Sequence, residues 1–193
     1  MYQRARQRQR MTAKNVKTLH FIRHGQSTYN VAVHETSCNS KTNLNSPSFV
    51  DAPLSAKGIQ QALQLKHRIN ELKPDSAITS PYRRTLDTCL AACENVNIEI
   101  FVTPLCGECM DSICDIGSPP QKLEEIYADK SISFSNLREV WWYKSKHFEN
   151  CSNTSAFIED FINSGGEKVR ETRAELYKRA DKFYNYLLAQ KEQ

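Results

Sequence analysis

This chain has no apolar run approaching the ~18 residues that a bilayer-spanning helix requires, and its first ten residues hold almost nothing apolar. The first absence excludes a membrane span; the second excludes the hydrophobic core of a secretory signal and the apolar face of a mitochondrial presequence. An excess of charge of one sign is also missing once the start is set aside. Of the 26 Lys and Arg, Arg4, Arg6, Arg8 and Arg10 fall in the first ten residues, leaving 22 against 22 Asp and Glu. A neutral body lacks the basic footprint of a nucleic-acid-binding domain, so neither a nucleic acid nor a membrane is expected as partner. A polyanion binder acting through the Arg-rich start is the rival class, and it predicts salt-sensitive binding lost with residues 1–10. No internal repeat is visible.

Seven cysteines without a secretory signal point to a reducing compartment, the cytoplasm. Cys106, Cys109, Cys114 and the distant Cys151 offer four thiolates to zinc. A metal site normally closes with a second closely spaced pair, and Cys151 stands alone, so ordinary thiols and no metal are expected.

The length of 193 residues suits one domain with a substantial core. Residues 1–16 read as a disordered basic extension and 17–193 as the domain. An apolar strand is expected over 17–22, a polar loop over 35–50, and a helix opened by Ser55 and closed before Pro74, with Ile59, Ala62, Leu63, Ile69 and Leu72 as its apolar stripe. A second strand covers 76–79. Ser80 as cap and Pro81 as first residue open the next helix, with Leu86, Cys89, Leu90 and Cys93 on one side. A third strand covers 98–102. This alternation predicts an α/β fold, three layers of helix, mostly parallel central sheet and helix. Residues 104–166, rich in Gly, Pro, Ser and Asn with aromatic clusters, read as a cap insertion. Phe134, Leu137, Trp141, Trp142 and Tyr143 in it anchor the cap by burial or stack on substrate. A long amphipathic helix is expected over 167–190, with Val169, Leu176, Ala180, Phe183 and Leu187 inward.

The segment Leu19-His20-Phe21-Ile22-Arg23-His24-Gly25-Gln26-Ser27-Thr28-Tyr29-Asn30 carries the chemistry. An imidazole beside a guanidinium at the mouth of a strand can attack phosphorus while the planar fork of the Arg holds the oxygens. His24 is the candidate nucleophile and Arg23 a phosphate ligand. His20, His34, His67 and His147 have no motif around them and read as structural or surface residues.

Arg23-His24-Gly25, the polar pair Gln26-Ser27 and Asn30 resemble the signature of the histidine phosphatase superfamily, the phosphoglycerate-mutase-like proteins. Two further segments fit in order: Pro53-Leu54-Ser55 with Gly58, Gln61 and Ala62, and Ser80-Pro81-Tyr82-Arg83-Arg84 with Thr88. The resemblance implies a phosphoglycerate-mutase-like fold and phosphoryl transfer through a phosphohistidine at His24. It makes Arg84, rather than Arg83, the second phosphate-binding arginine. Asn30 becomes a phosphate donor, and Gln26 and Ser27 weaker ones; helix capping is the other reading of all three. The proton for the leaving alkoxide comes, by the same resemblance, from Glu108, with Asp111 and Asp115 as alternatives. The guanidinium groups neutralise the phosphate, so no cofactor is expected. The substrate is a small phosphorylated molecule or a phosphoprotein, and hydrolysis is preferred over mutase chemistry.

The family's second histidine, carried by a strand after the last helix, has no counterpart. The fold is therefore expected to lack its last strand, through truncation rather than divergence. The chain as given is expected to be weakly active and to fold poorly, and a catalytically dead phosphate-pocket binding or regulatory protein is the alternative.

Overall fold

A computed structural model describes residues 17–38, 42–143, 153–166 and 170–190. The basic extension, His147, Cys151 and Val169 lie outside the described residues.

The protein is α/β, and its elements alternate around a parallel pair of strands. Helix α1 (Thr28–Ser37) starts at Ser27, whose hydroxyl accepts from the Asn30 amide while the Asn30 side chain accepts from the Ser27 amide. That capping box carries helix into the region expected to be loop. Among its described residues, a short 3-10 turn, Pro47–Phe49, interrupts the remainder of it. Helix α2 (Ala56–Leu72) is capped by Ser55 as expected and ends on Lys73 in the left-handed region, φ 48°. Ala62 and Ile69 of its stripe are buried, whereas Ile59 and Leu63 are exposed. Strand β1 (Ser76–Thr79) pairs in parallel with β2 (Glu99–Val102), Ser76 opposite Glu99 and Thr79 opposite Val102.

Between them, α3 (Arg83–Ala92) packs on α2 and begins two residues later than its Ser-Pro signal. The reason is a distant cap. Tyr82 at the N-cap position makes no side-chain capping bond, and the buried carboxylate of Asp51 accepts from the Arg83 amide at 3.0 Å instead. The other Asp51 oxygen accepts from the Ser118 amide at 3.1 Å, so one side chain joins the approach to α2, the start of α3 and the insertion.

The insertion contributes α4 (Pro120–Ile126) and α5 (Thr154–Asn163), the latter capped by Asn153. Its aromatic residues divide between two cores. Trp141 and Trp142 pack with Tyr82, Met110, Ile113, Phe157 and Phe161; Phe134 packs with Leu86, Leu123 and Tyr127, and Leu137 touches both. Helix α6 (Arg173–Ala189) starts six residues later than its pattern suggested, because Thr172 and Glu175 form a capping box. Its inward side, Leu176, Phe183 and Leu187, is half-buried, and Ala180 is exposed.

The expected strand over 17–22 is not formed. An apolar pattern supplies side chains for a strand but not a neighbour's ladder groups. The sheet of the described residues holds β1 and β2 alone. Leu19, Phe21 and Ile22 accordingly lie in solvent, Phe21 at 81% exposure. Among the described residues, no helix is long and apolar enough to cross a membrane.

Candidate active site

The turn from Arg23 to Ser27 is held by residues of the other two motifs. Ser55 donates its amide to the Gln26 carbonyl and its hydroxyl to Gln26 Oε1, both at 2.8 Å. The Gln26 amide donates to Gln61 Oε1, also at 2.8 Å. The Gly25 amide donates to Thr88 Oγ1 at 3.0 Å, and that hydroxyl donates to the Arg84 carbonyl. Gly25 and Gly58 let two backbones meet. A Cβ on Gly58 would lie 2.0 Å from the Gln26 carbonyl oxygen, and one on Gly25 2.5 Å from that of Gly58. The small residues at these spacings are therefore steric necessities of one turn lying on the start of α2.

His24 is half-buried in that turn, and its Nδ1 lies 2.7 Å from the Gly25 carbonyl oxygen. A carbonyl only accepts, so Nδ1 carries the proton and Nε2 keeps the lone pair. Burial lowers the His24 pKa from its ordinary value, the bond to Gly25 opposes this, and the charges of Arg84 and Arg23 lower it further; Glu108 raises it. No second histidine is among these neighbours, and His20, His34 and His67 are exposed.

Arg23 is exposed, whereas Arg84 is only 3% exposed. Two of the five N–H groups of Arg84 are committed, one to the Cys114 carbonyl at 2.7 Å and one to Asp115 Oδ1 at 2.9 Å. Its guanidinium carbon stands 4.3 Å over the Tyr82 ring. Burial holds the Asp115 carboxyl above its ordinary value, and Arg84 with the Ser112 and Asp111 amides offsets part of that rise. With a guanidinium in contact and these amides donating, the pair is ionised. Ser27 is buried and its hydroxyl is spent on the α1 cap; Asn30 Oδ1 is spent on the same cap, which leaves its NH₂ as the donating end.

Glu108 is exposed, and its Oε1 accepts from the Cys109 amide at 3.0 Å. Asp111 is exposed too and pairs with Arg170, while Asp115 is buried on Arg84. Of the three carboxylates weighed as proton donor, Glu108 is the one whose charge acts on His24. The turn carrying it is gripped by a residue that sequence reasoning passed over. Arg179 of α6 donates to the carbonyls of Leu105 (3.2 Å), Gly107 (2.7 Å) and Glu108 (3.2 Å), and its remaining N–H groups go to the buried Glu171 carboxylate. The available signal was a basic residue between Leu176 and Phe183 in an apolar stripe. Among the described residues, no three His, Cys, Asp or Glu side chains are grouped so as to hold a metal ion.

Comparison with known proteins follows the same residues. The sequence pattern of the histidine phosphatase superfamily, branch 1, matches residues 19–193. A probable phosphatase of Schizosaccharomyces pombe is 32% identical over 173 residues, covering 82% of this chain and 74% of the relative. Among solved structures, an α-ribazole phosphatase from Shigella flexneri is 18% identical with a TM-score of 0.45, covering 86% of this chain and 65% of that one. A putative α-ribazole-5'-P phosphatase from Escherichia coli is 15% identical with the same TM-score, covering 86% and 64%. This chain thus spans just under two thirds of the length of those two structures. A match that runs through all three supports of the His24 turn and on to residue 193 settles its ancestry: the chain belongs to the histidine phosphatase superfamily, branch 1.

Proposed function

We propose that the protein hydrolyses phosphate monoesters through a phosphohistidine at His24. One observation carries this reading: His24 is held with Nδ1 protonated against the Gly25 carbonyl, and Arg84, Arg23 and Glu108 are the charges that act on it. In the first step Nε2 attacks phosphorus, the P–O ester bond breaks, and Glu108 gives its proton to the departing alkoxide. In the second, water loses a proton to Glu108 and attacks phosphorus, and the N–P bond breaks. Arg23, the remaining N–H groups of Arg84 and the Asn30 amide nitrogen bind the phosphoryl oxygens; Gln26 and Ser27 serve mainly to seat the turn. The substrate is a small phosphorylated molecule or a phosphorylated protein side chain. Water rather than a second hydroxyl accepts the phosphoryl group, and the thiols suit work in the cytoplasm. The S. pombe relative's name as a probable phosphatase supports the same direction.

Incubation with a labelled phosphomonoester followed by acid and base stability assays tests this. An acid-labile, base-stable adduct that disappears in His24→Ala is expected, and labelling retained in that variant refutes the assignment.

A phosphate-binding protein without turnover is the second reading, favoured by the buried pairing of Arg84 with Asp115, which offsets one of the two cationic charges. It predicts saturable phosphate binding and no adduct.

A further inference from the structure

The insertion walls a small pocket beside Glu108. Tyr82, Trp141, Trp142 and Tyr143 line it together with Glu108 and Arg179, and its volume is about 150 Å³. The rings form one edge-to-face chain: Tyr82 on Trp141 at 4.8 Å, Trp141 on Trp142 at 5.5 Å, and Trp142 on Phe157 at 5.7 Å.

The polar groups of this pocket are nearly all spoken for. The Tyr82 hydroxyl donates to the Asp115 carbonyl at 2.7 Å and Trp141 Nε1 to the Ser118 carbonyl at 2.8 Å. Arg179 spends its whole fork on the 105–108 turn and Glu171, so it offers no free N–H to an anion. Trp142 Nε1 is the exception. It is buried, in a residue 4% exposed, and has no partner among the described residues. A buried donor left unpaired is uncommon in a finished core and fits a wall that the π face of a ring completes.

We infer that this pocket is the leaving-group subsite of the hydrolysis proposed above, and that it takes a single uncharged aromatic ring. The inference rests on that reading, because Glu108 is the group shared by the pocket and by His24. An ester whose ring fills the pocket presents its bridging oxygen to the carboxyl that protonates it. Size selects one ring, since a cavity of ~150 Å³ accommodates benzene. Aromatic walls favour a ring over an alkyl chain of equal area. Charge excludes acidic leaving groups, because a carboxylate or second phosphate would enter a pocket with no uncommitted cation to offset it.

Benzyl phosphate and ethyl phosphate test this, their leaving alcohols being close in acidity. The full chain should show a kcat/KM for benzyl phosphate about tenfold or more above that for ethyl phosphate. Naphthylmethyl phosphate, with two fused rings, should lose that advantage. Trp142→Ala and the milder Tyr143→Ala should each lower the benzyl-to-ethyl ratio; a fall in both rates that preserves the ratio is what a purely structural role gives and overturns the subsite. A second measurement does not depend on turnover. Trp141 and Trp142 are the only tryptophans in the chain and both line the pocket, so benzyl alcohol should change the intrinsic fluorescence saturably. Ring-independent hydrolysis with no fluorescence response overturns the subsite and spares the phosphatase; saturable benzyl alcohol binding without any hydrolysis or adduct upholds the ring site and overturns the phosphatase.

Discussion

At His24 two local facts combine. The Gly25 carbonyl fixes the tautomer, and burial together with Arg84 and Arg23 lowers the proton affinity below the ordinary imidazole value of 6.5. The neutral, nucleophilic form therefore persists on acidification, and the acid limb of phosphoenzyme formation is expected below pH 6.5, read from rapid-quench rates against pH. The sign for stability is the same. Because the unfolded chain takes up this proton first as pH falls, the His24 contribution is full above 6.5 and is lost between 6.5 and the lowered value. If Glu108 is the proton donor proposed above, Glu108→Gln should slow turnover of an alkyl phosphate by ~10²-fold or more while phosphate still binds. Arg179 works one step back, as a positioning residue. Arg179→Lys keeps a cation but loses the fork that holds three carbonyls of the Glu108 turn. It should depress hydrolysis of ethyl phosphate by about tenfold or more and of p-nitrophenyl phosphate much less, because p-nitrophenolate leaves without a proton. Equal losses on both substrates would reduce Arg179 to a structural role.

Beyond the packing of α3 on α2 and the two cores, single buried contacts fasten particular elements together. Asp51, in a left-handed conformation at φ 46°, accepts from the start of α3 with one oxygen and from Ser118 with the other. Asp51→Asn would turn an NH₂ toward one of these donors, at a cost of about 1–3 kcal/mol measurable by denaturant titration. Stability equal to wild type would show that the insertion is not fastened there. Gly58 is the corresponding point between α2 and the His24 turn. In Gly58→Ala the new methyl meets backbone rather than a yielding side chain, so the turn must move. Loss of phosphoenzyme in a protein that still shows helical circular dichroism is the expected signature.

For the molecule as a whole, the exposed apolar side chains matter most. Leu19, Phe21 and Ile22 near the start and Tyr177, Tyr184 and Leu188 on α6 all face solvent. Lys17 ties the two regions by donating to the Leu187 and Leu188 carbonyls at 3.1 Å and to that of Gln190. Exposed apolar side chains on this scale favour association. Light scattering of the purified chain should rise with concentration and fall in the double variant Phe21→Ser, Leu188→Gln; identical curves would discount this surface.

The three segments that meet at the His24 turn were legible because each is local. Arg23, His24, Ser27 and Asn30 fall within eight residues, Ser55, Gly58 and Gln61 within seven, and Ser80, Arg84 and Thr88 within nine, so the resemblance to the family's three segments could be read along the chain. Helix starts at Ser55 and at the Ser27 box are local for the same reason, since a cap bonds an amide two or three positions on. Amphipathic periodicity was legible in kind and wrong in detail: it could not tell that Ile59 and Leu63 would stay exposed, because no neighbour's position is written in one helix's pattern. What the tertiary structure alone decided are pairings across long stretches of chain. Asp51 reaches Arg83 and Ser118, Arg84 reaches Asp115, and Arg179 reaches the 105–108 turn. Such partners leave no spacing to read, because a charged side chain at either position looks like any solvated one until folding buries it. The same holds for the ring pocket, whose wall joins Tyr82 to Trp141 and Trp142 only after the insertion has closed over α3.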